Sequence, residues 1–148
     1  ITYGYYHGYT LFQKYKKDIA YPFGYGLSYS EFEYENFKMY DYKKEDSILT
    51  FNFDLINRSN VDGKEIAQLY VGFENSKIDR PLKLLRGFKK IHLKPKEKKT
   101  ISFQINKNDL SYYNTEKKKW LNEKISYNFY VGGSSQSEKL LKITKNIY

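Results

Sequence analysis

The sequence predicts an all-β chain, an antiparallel β-sandwich of about seven strands behind an irregular aromatic extension. Three observations carry this prediction. From Tyr29 onward apolar and polar residues alternate with period two, the alternating runs are short, and Asn, Asp, Gly and Pro turns separate them. No stretch shows the period of an amphipathic helix, and Asn108 to Tyr113 suits only a turn of 3-10 helix.

The elements follow in order. Leu49, Phe51, Phe53 and Leu55 share one strand face, with Thr50, Asn52 and Asp54 on the other. Ile66, Gln68 and Tyr70 alternate with Ala67, Leu69 and Val71, which gives a strand with two partly apolar faces. Leu84, Phe88 and Ile91 to Leu93 run into a Lys94-Pro95-Lys96-Glu97 turn. Ile101, Phe103 and Ile105 line the next strand, and Ile125, Tyr127, Phe129 and Val131 the one after it. A last strand around Leu141 to Ile147 closes the set.

Residues 1–30 differ in texture and read as a linker strip, with the sandwich over residues 31–148. The run from Thr2 to Phe12 is aromatic and punctuated by glycine, and Lys14 to Asp18 is a charged connector. In Tyr21 to Ser30, Pro22 fixes φ and removes a ladder donor, which excludes a central strand. Gly24 and Gly26 permit backbone conformations closed to other residues and a close approach by a neighbour. The segment is too aromatic for a solvated linker and too broken for regular structure. It reads as an ordered loop lying against something, and the rest of the chain offers no obvious partner.

That loop and the segments after it resemble, in order, the C-terminal end of glycoside hydrolase family 3, the β-glucosidase-type family. The PFGYGLSY-like stretch is Pro22 to Tyr29, followed by Phe32. The N-T-G-x-x-D-G-x-E turn resembles Asn57 to Gly63 with Glu65, and the Q-L-Y-V strand is Gln68 to Val71. The R-P-x-K-x-L-x-G-F-K-K run is similar to Arg80, Pro81, Lys83, Leu85, Gly87, Phe88, Lys89 and Lys90. Then come Leu93-Lys94-Pro95, Asp109-Leu110-Ser111, Trp120, Val131-Gly132 and Ser134-Ser135. Upstream, Gly4, Tyr6, Gly8, Tyr9 and Phe12 are similar to the family's linker, but Tyr3, Thr10 and Gln13 stand where it has Glu, Arg and Asp. Lys96 replaces a Gly, and Lys124-Ile125 replaces Pro-Gly; a β-branched residue does not take a positive φ, so that turn adopts another geometry or extends the strand.

The resemblance implies a fibronectin type III-like, immunoglobulin-like sandwich. It also implies that the nucleophilic Asp and the acid/base belong to domains before Ile1, so this chain carries no catalytic residues and is inactive alone. The acidic residues agree. Asp41, Glu45, Asp46, Asp54, Asp62, Glu65, Glu97 and Asp109 fall mostly in turns or on polar faces, with no pair in an apolar setting that would keep one protonated.

Composition excludes several classes. A 148-residue chain without Cys has no disulfide scaffold, thiol catalysis or thiolate metal site, which leaves the compartment open. Ile1 is not a start methionine and no signal-like apolar region follows, so the chain reads as beginning mid-protein, with any signal region upstream. No apolar run approaches a membrane span, so no membrane partner is expected. The net charge of +9 is almost all lysine, spread over Lys43-Lys44, Lys89-Lys90, Lys98-Lys99 and Lys117 to Lys119, with arginine only at positions 58, 80 and 86. That pattern is a solubilising surface, and no nucleic acid partner is expected.

No cofactor or metal is expected. His7 and His92 are isolated, and Asp62 and Glu65 about Gly63 are too sparse for a cation loop. Asn57-Arg58-Ser59 is formally a glycosylation sequon. Arg80 and Arg86 bracket a strand and suit pairing with a carboxylate. Tyr112, Tyr113 and Trp120 would make a sugar-stacking platform, but the preferred reading has Trp120 plugging the end of the sandwich. His7, Tyr9, Phe23, Tyr25 and Tyr29 are the candidates for an interdomain contact or a substrate rim.

The expected function is a non-catalytic C-terminal domain of a family 3 glycoside hydrolase, of β-glucosidase or β-xylosidase type. It would buttress upstream catalytic domains of the same polypeptide, which would act on an oligo- or polysaccharide. A free-standing carbohydrate- or cell-wall-binding module is the alternative.

Overall fold

Inward-facing rings from two antiparallel sheets meet at the centre of the chain. The computed structural model describes residues 4–40, 45, 47–136 and 139–148; Thr2, Tyr3, Asp41, Lys43, Lys44 and Asp46 lie outside the described residues. One sheet orders β1 (Phe32–Met39), β2 (Ile48–Asn57) and β5 (Lys98–Asn106). The other orders β4 (Lys83–Leu93), β3 (Gly63–Phe73), β8 (Ser126–Gly132) and β9 (Leu141–Asn146). These seven strands are the predicted sandwich. A hairpin of β6 (Tyr112–Asn114) and β7 (Lys119–Leu121) is added between β5 and β8.

The alternation in sequence becomes the two sides of each sheet. Leu49, Phe51, Phe53 and Leu55 of β2 and Ile101, Phe103 and Ile105 of β5 are buried, facing Ala67, Leu69, Val71, Tyr127, Phe129 and Val131. Phe51 meets Phe129 across the sheets with ring centroids 4.5 Å apart, and Phe53 lies between Tyr34 at 5.6 Å and Phe103 at 5.8 Å. Aromatic pairs at these spacings add to the burial term through their edge and face charges.

The turns obey local chemistry. Glu97 N–H donates to Lys94 O at 3.1 Å, with Pro95 second and Lys96 third at φ 59°, a backbone position that glycine would occupy without strain. Ile125 N–H donates to Glu123 O at 3.0 Å, so the turn before β8 closes within three residues, one of the two geometries left to a β-branched residue. Asn57 is fully buried, and its side chain serves the β2–β3 turn. Its Nδ2 donates to Val61 O at 2.8 Å and Lys94 O at 3.2 Å, while Oδ1 accepts from Ser59 N–H at 2.9 Å. The sequon therefore offers no accessible amide.

Two expectations are corrected. A seven-residue helix, α1 (Gly8–Lys14), lies in the strip read as irregular. It has no long amphipathic period to announce it, and Tyr, Thr and Phe are middling helix formers. The turn starts where the Thr10 hydroxyl donates to His7 O at 2.7 Å, and Tyr9 is held by the sheet beneath. The 3-10 turn occupies Lys107–Leu110, slightly earlier than expected, and leads into β6.

Candidate functional site

The outer face of β3 is where the N-terminal strip comes to rest. Gln68 and Tyr70 point away from the core, yet they are 4% and 0% exposed. Their cover is Tyr9 of α1, 6.0 Å from the Tyr70 ring, with Phe23 stacked on Tyr9 at 5.3 Å. The Tyr9 hydroxyl accepts from Leu85 N–H of β4 at 2.9 Å. Gly24, at φ 83°, lies so close to Gln68 that an added Cβ would collide with its amide. The loop expected to lack a partner in this chain thus has one on its inner side. The two-faced alternation of β3 was the signal.

The β8–β9 loop forms the other wall. Ser135 is 3% exposed; its N–H donates to Phe23 O at 2.7 Å, and its carbonyl accepts from the Lys83 ammonium at 2.6 Å and Gln13 Nε2 at 3.4 Å. The Gln68 amide donates to Gly133 O at 2.7 Å and accepts from the Tyr70 hydroxyl. Burial pushes the Tyr70 phenol up, so it stays a neutral donor. Lys83 is 4% exposed, its ammonium 5.5 Å and 5.6 Å from the Tyr70 and Tyr130 ring centroids, a setting that supplies cation–π attraction beside the carbonyl bond. Several stretches that carry the sequence resemblance (PFGYGLSY, QLYV, the lysine after Arg-Pro, and the paired serines) therefore meet at one seam.

The strip's other side is bare. Tyr21 is 73% exposed, Leu27 90% and Tyr29 101%, with Phe23 and Tyr25 about half exposed. Tyr21 and Tyr25 lean on each other at 5.0 Å. His7 is exposed at the N-cap of α1. At the far end of the strip the Tyr6 hydroxyl and the Lys14 ammonium both bond Asp79, at 2.5 Å and 3.1 Å, and hold its carboxyl below the usual range.

Other predicted positions fall elsewhere. Trp120 is 68% exposed rather than plugging the sandwich; it faces Tyr113 across the β6–β7 ladder, rings 5.6 Å apart, while Tyr112 turns toward Arg80. Arg80 pairs with Glu123 at 2.6 Å, as its type suggested. Asp62 and Glu65 go to different partners, His92 at 2.9 Å and the Tyr34 hydroxyl at 2.7 Å. Glu65 is the exception that a mostly polar placing of the acids allows. It is half-buried against Gly133, and burial raises its carboxyl above the ordinary value.

Residues 65–135 match the fibronectin type III-like domain family. Over 146 residues, 95% of the chain, it is 40% identical to a β-glucosidase of Kluyveromyces marxianus; over 135 residues it is 38% identical to the thermostable β-glucosidase B of Acetivibrio thermocellus. It spans only 17% and 18% of those two proteins. The crystal structure of the Kluyveromyces marxianus enzyme in complex with glucose superposes on 95% of this chain and 17% of its own, with a TM-score of 0.83 at 37% identity. A GH3 β-glucosidase of Bifidobacterium adolescentis gives 0.86 at 28% identity, covering 95% of this chain and 20% of its own. The seven-strand sandwich and these matches together identify the chain as a fibronectin type III-like domain homologous to the C-terminal regions of family 3 β-glucosidases.

Proposed function

We propose that this chain is a non-catalytic supporting domain that braces the catalytic domains of a family 3 glycoside hydrolase acting on β-glucosides or β-xylosides. Residues 1–30 would be the strip arriving from the preceding domain, and residues 31–148 the brace. The observation that carries the reading is the two-sided strip. Its inner side is fastened to Gln68, Tyr70, Lys83 and Ser135, while Tyr21, Tyr25, Leu27 and Tyr29 present apolar surface to the outside. A row of exposed aromatics on an ordered backbone is the mark of a contact surface. Its occupant would be the upstream catalytic body, and His7, Tyr25 and Tyr29 would be the residues nearest its cleft. The short share of each β-glucosidase that this chain spans supports a role as one domain among several.

The test joins the chain to its catalytic domains and compares wild type with Leu27→Asp and Tyr29→Asp. These side chains touch little of their own domain, so the isolated chain should unfold unchanged while the joined enzyme inactivates at lower temperature. An unchanged inactivation temperature, or hydrolysis of an aryl-β-glucoside by the 148 residues alone, would overturn the proposal.

A further inference from the structure

A second feature lies away from the seam. A groove of about 650 Å³ opens between the 3-10 turn and the β6–β7 hairpin, lined by Arg86, Asn108, Asp109, Ser111, Trp120 and Asn122 among others. Arg86 reaches it because of a bulge. Leu85 opposes Tyr70 and Gly87 opposes Leu69, so Arg86 is the extra residue of β4 and has no partner position in the ladder. Bulges of this kind redirect a side chain at a sheet edge.

Two polar atoms of residues lining the groove are shielded from water and without a protein partner among the described residues: Arg86 Nε and Asn122 Oδ1. The amide orientation of Asn122 is set by its Nδ2, which donates to Lys107 O at 3.3 Å. One unmet donor and one unmet acceptor thus belong to two residues of the same groove, behind its surface, and leaving such groups unmet is costly. Above them Trp120 is 68% exposed and braced edge-on by Tyr113 at 70°. Asp109 adds a carboxylate to the lining, with one oxygen accepting from Asn106 N–H at 3.1 Å.

We propose that this groove binds a neutral saccharide, one ring stacked on Trp120, with the Arg86 and Asn122 side chains turning outward so that Nε–H and Oδ1 meet its hydroxyls. A hydroxyl both donates and accepts, so vicinal hydroxyls answer both unmet atoms. An anion would satisfy Arg86 but face Asn122 Oδ1 and the Asp109 carboxylate. Stacking of a sugar's C–H face on an indole supplies apolar contact. The site is separate from the seam and stands whether or not the chain braces an enzyme.

Trp120 is the one tryptophan in the chain and reports its own site. The 148-residue chain is titrated with cellotetraose, xylotetraose and sodium sulfate while indole emission is followed. A saturable shift with either oligosaccharide, none with sulfate, is expected. By calorimetry, Asn122→Leu and Arg86→Leu should each weaken binding about ten-fold, Trp120→Ala should abolish it, and Arg86→Lys checks that folding persists. Emission unmoved by both oligosaccharides, or moved by sulfate alone, would overturn the proposal, as would Arg86→Leu and Asn122→Leu variants that are folded and bind as wild type.

Discussion

Gly24 and Gln68 are in contact at the centre of the seam, with no room between them for a methyl group. Gly24 sits at φ 83°, and a Cβ built on it would also stand 2.8 Å from Gly133 O. Gln68 cannot yield easily, because its amide is held by Gly133 O and the Tyr70 hydroxyl. Gly24→Ala therefore combines left-handed strain with a backbone collision, and should cost about 2 kcal/mol in urea unfolding, with new dye binding at the uncovered β3 face. Gly26, which has nothing within 4 Å of its added Cβ, is the control. Gly26→Ala should stay within about 0.5 kcal/mol of wild type. Equal effects from the two would mean that the strip is not fastened at Gly24.

Arg80 and Glu123 carry a second fastening, between the segment before β4 and the turn before β8. Their side chains are 5% and 13% exposed and 2.6 Å apart, and Arg80 lies 3.7 Å over the Phe73 ring. Burial alone would raise the Glu123 carboxyl, but bonds from Ser76 Oγ, Lys77 N–H and Arg80 outweigh it and hold it below its usual value. A carboxyl depressed in the fold stabilises above its unfolded pKa, and that contribution disappears as pH falls through the folded one. Arg80→Met leaves the carboxylate buried without its cation and should cost about 3–5 kcal/mol at neutral pH, with a smaller difference in acid. A loss under about 1 kcal/mol would show the pair to be no more than a surface bridge.

The sandwich was legible because each core strand writes its inner face as alternate apolar residues, as in Leu49 to Leu55 and Ile101 to Ile105. The two sides of the seam were legible separately, the aromatic loop and the two-faced alternation of β3, but not their meeting. Pro22 to Tyr29 announced a loop that must lie against something, but nothing local says that Gln68 and Tyr70 lie beneath it, since that depends on the path of the strip over β3. Helix α1 was hidden for the same reason: seven residues held by Tyr9 on the sheet need no helical period. Trp120 was misplaced because a single tryptophan in a sandwich reads as an end plug, whereas β6 and β7 form a hairpin that leaves the indole in solvent. Arg86 was expected to bracket a strand and pair with a carboxylate, yet it lies inside β4; its place as the extra residue of the ladder left no sequence signal, because a bulge is visible only through the register.

Asp54 gives a pH dependence that can be measured directly. Its carboxylate accepts from Asn36 Nδ2 at 2.7 Å, Lys98 Nζ at 2.9 Å and Thr100 Oγ1 at 2.7 Å, which together hold it down to about 2. The folded value lies below the ordinary 3.8, so the stabilisation is complete above pH 3.8 and is lost as pH falls toward 2. Asp54→Asn should be less stable than wild type at pH 7, and the two should converge by the acid end of that window. A difference constant with pH would show that packing, rather than charge, holds this site.

Glu65 runs the other way. Burial raises its carboxyl above 4.5, only partly offset by the Tyr34 hydroxyl, so ionisation is penalised in the fold and stability falls as pH rises past the ordinary value. Glu65→Gln keeps an acceptor for Tyr34 and removes the charge. It should match wild type in acid and exceed it near neutral pH in thermal unfolding. A variant less stable at every pH would mean that the charge itself is needed at the end of the sandwich.

Lys96 isolates the cost of one left-handed residue. It stands at φ 59° in the Lys94–Glu97 turn, and its ammonium donates to Arg58 O. Replacing it changes both the strain and the hydrogen bond, so two variants are needed. Lys96→Ala and Lys96→Gly both lose the bond, but only alanine keeps a Cβ against the following carbonyl, at about 1 kcal/mol. The glycine variant should therefore melt above the alanine variant by about 3 °C. Because glycine also loosens the unfolded chain, its gain over wild type should be smaller, about 0.5 kcal/mol at most. If alanine and glycine melt together, the turn has relaxed out of the left-handed region.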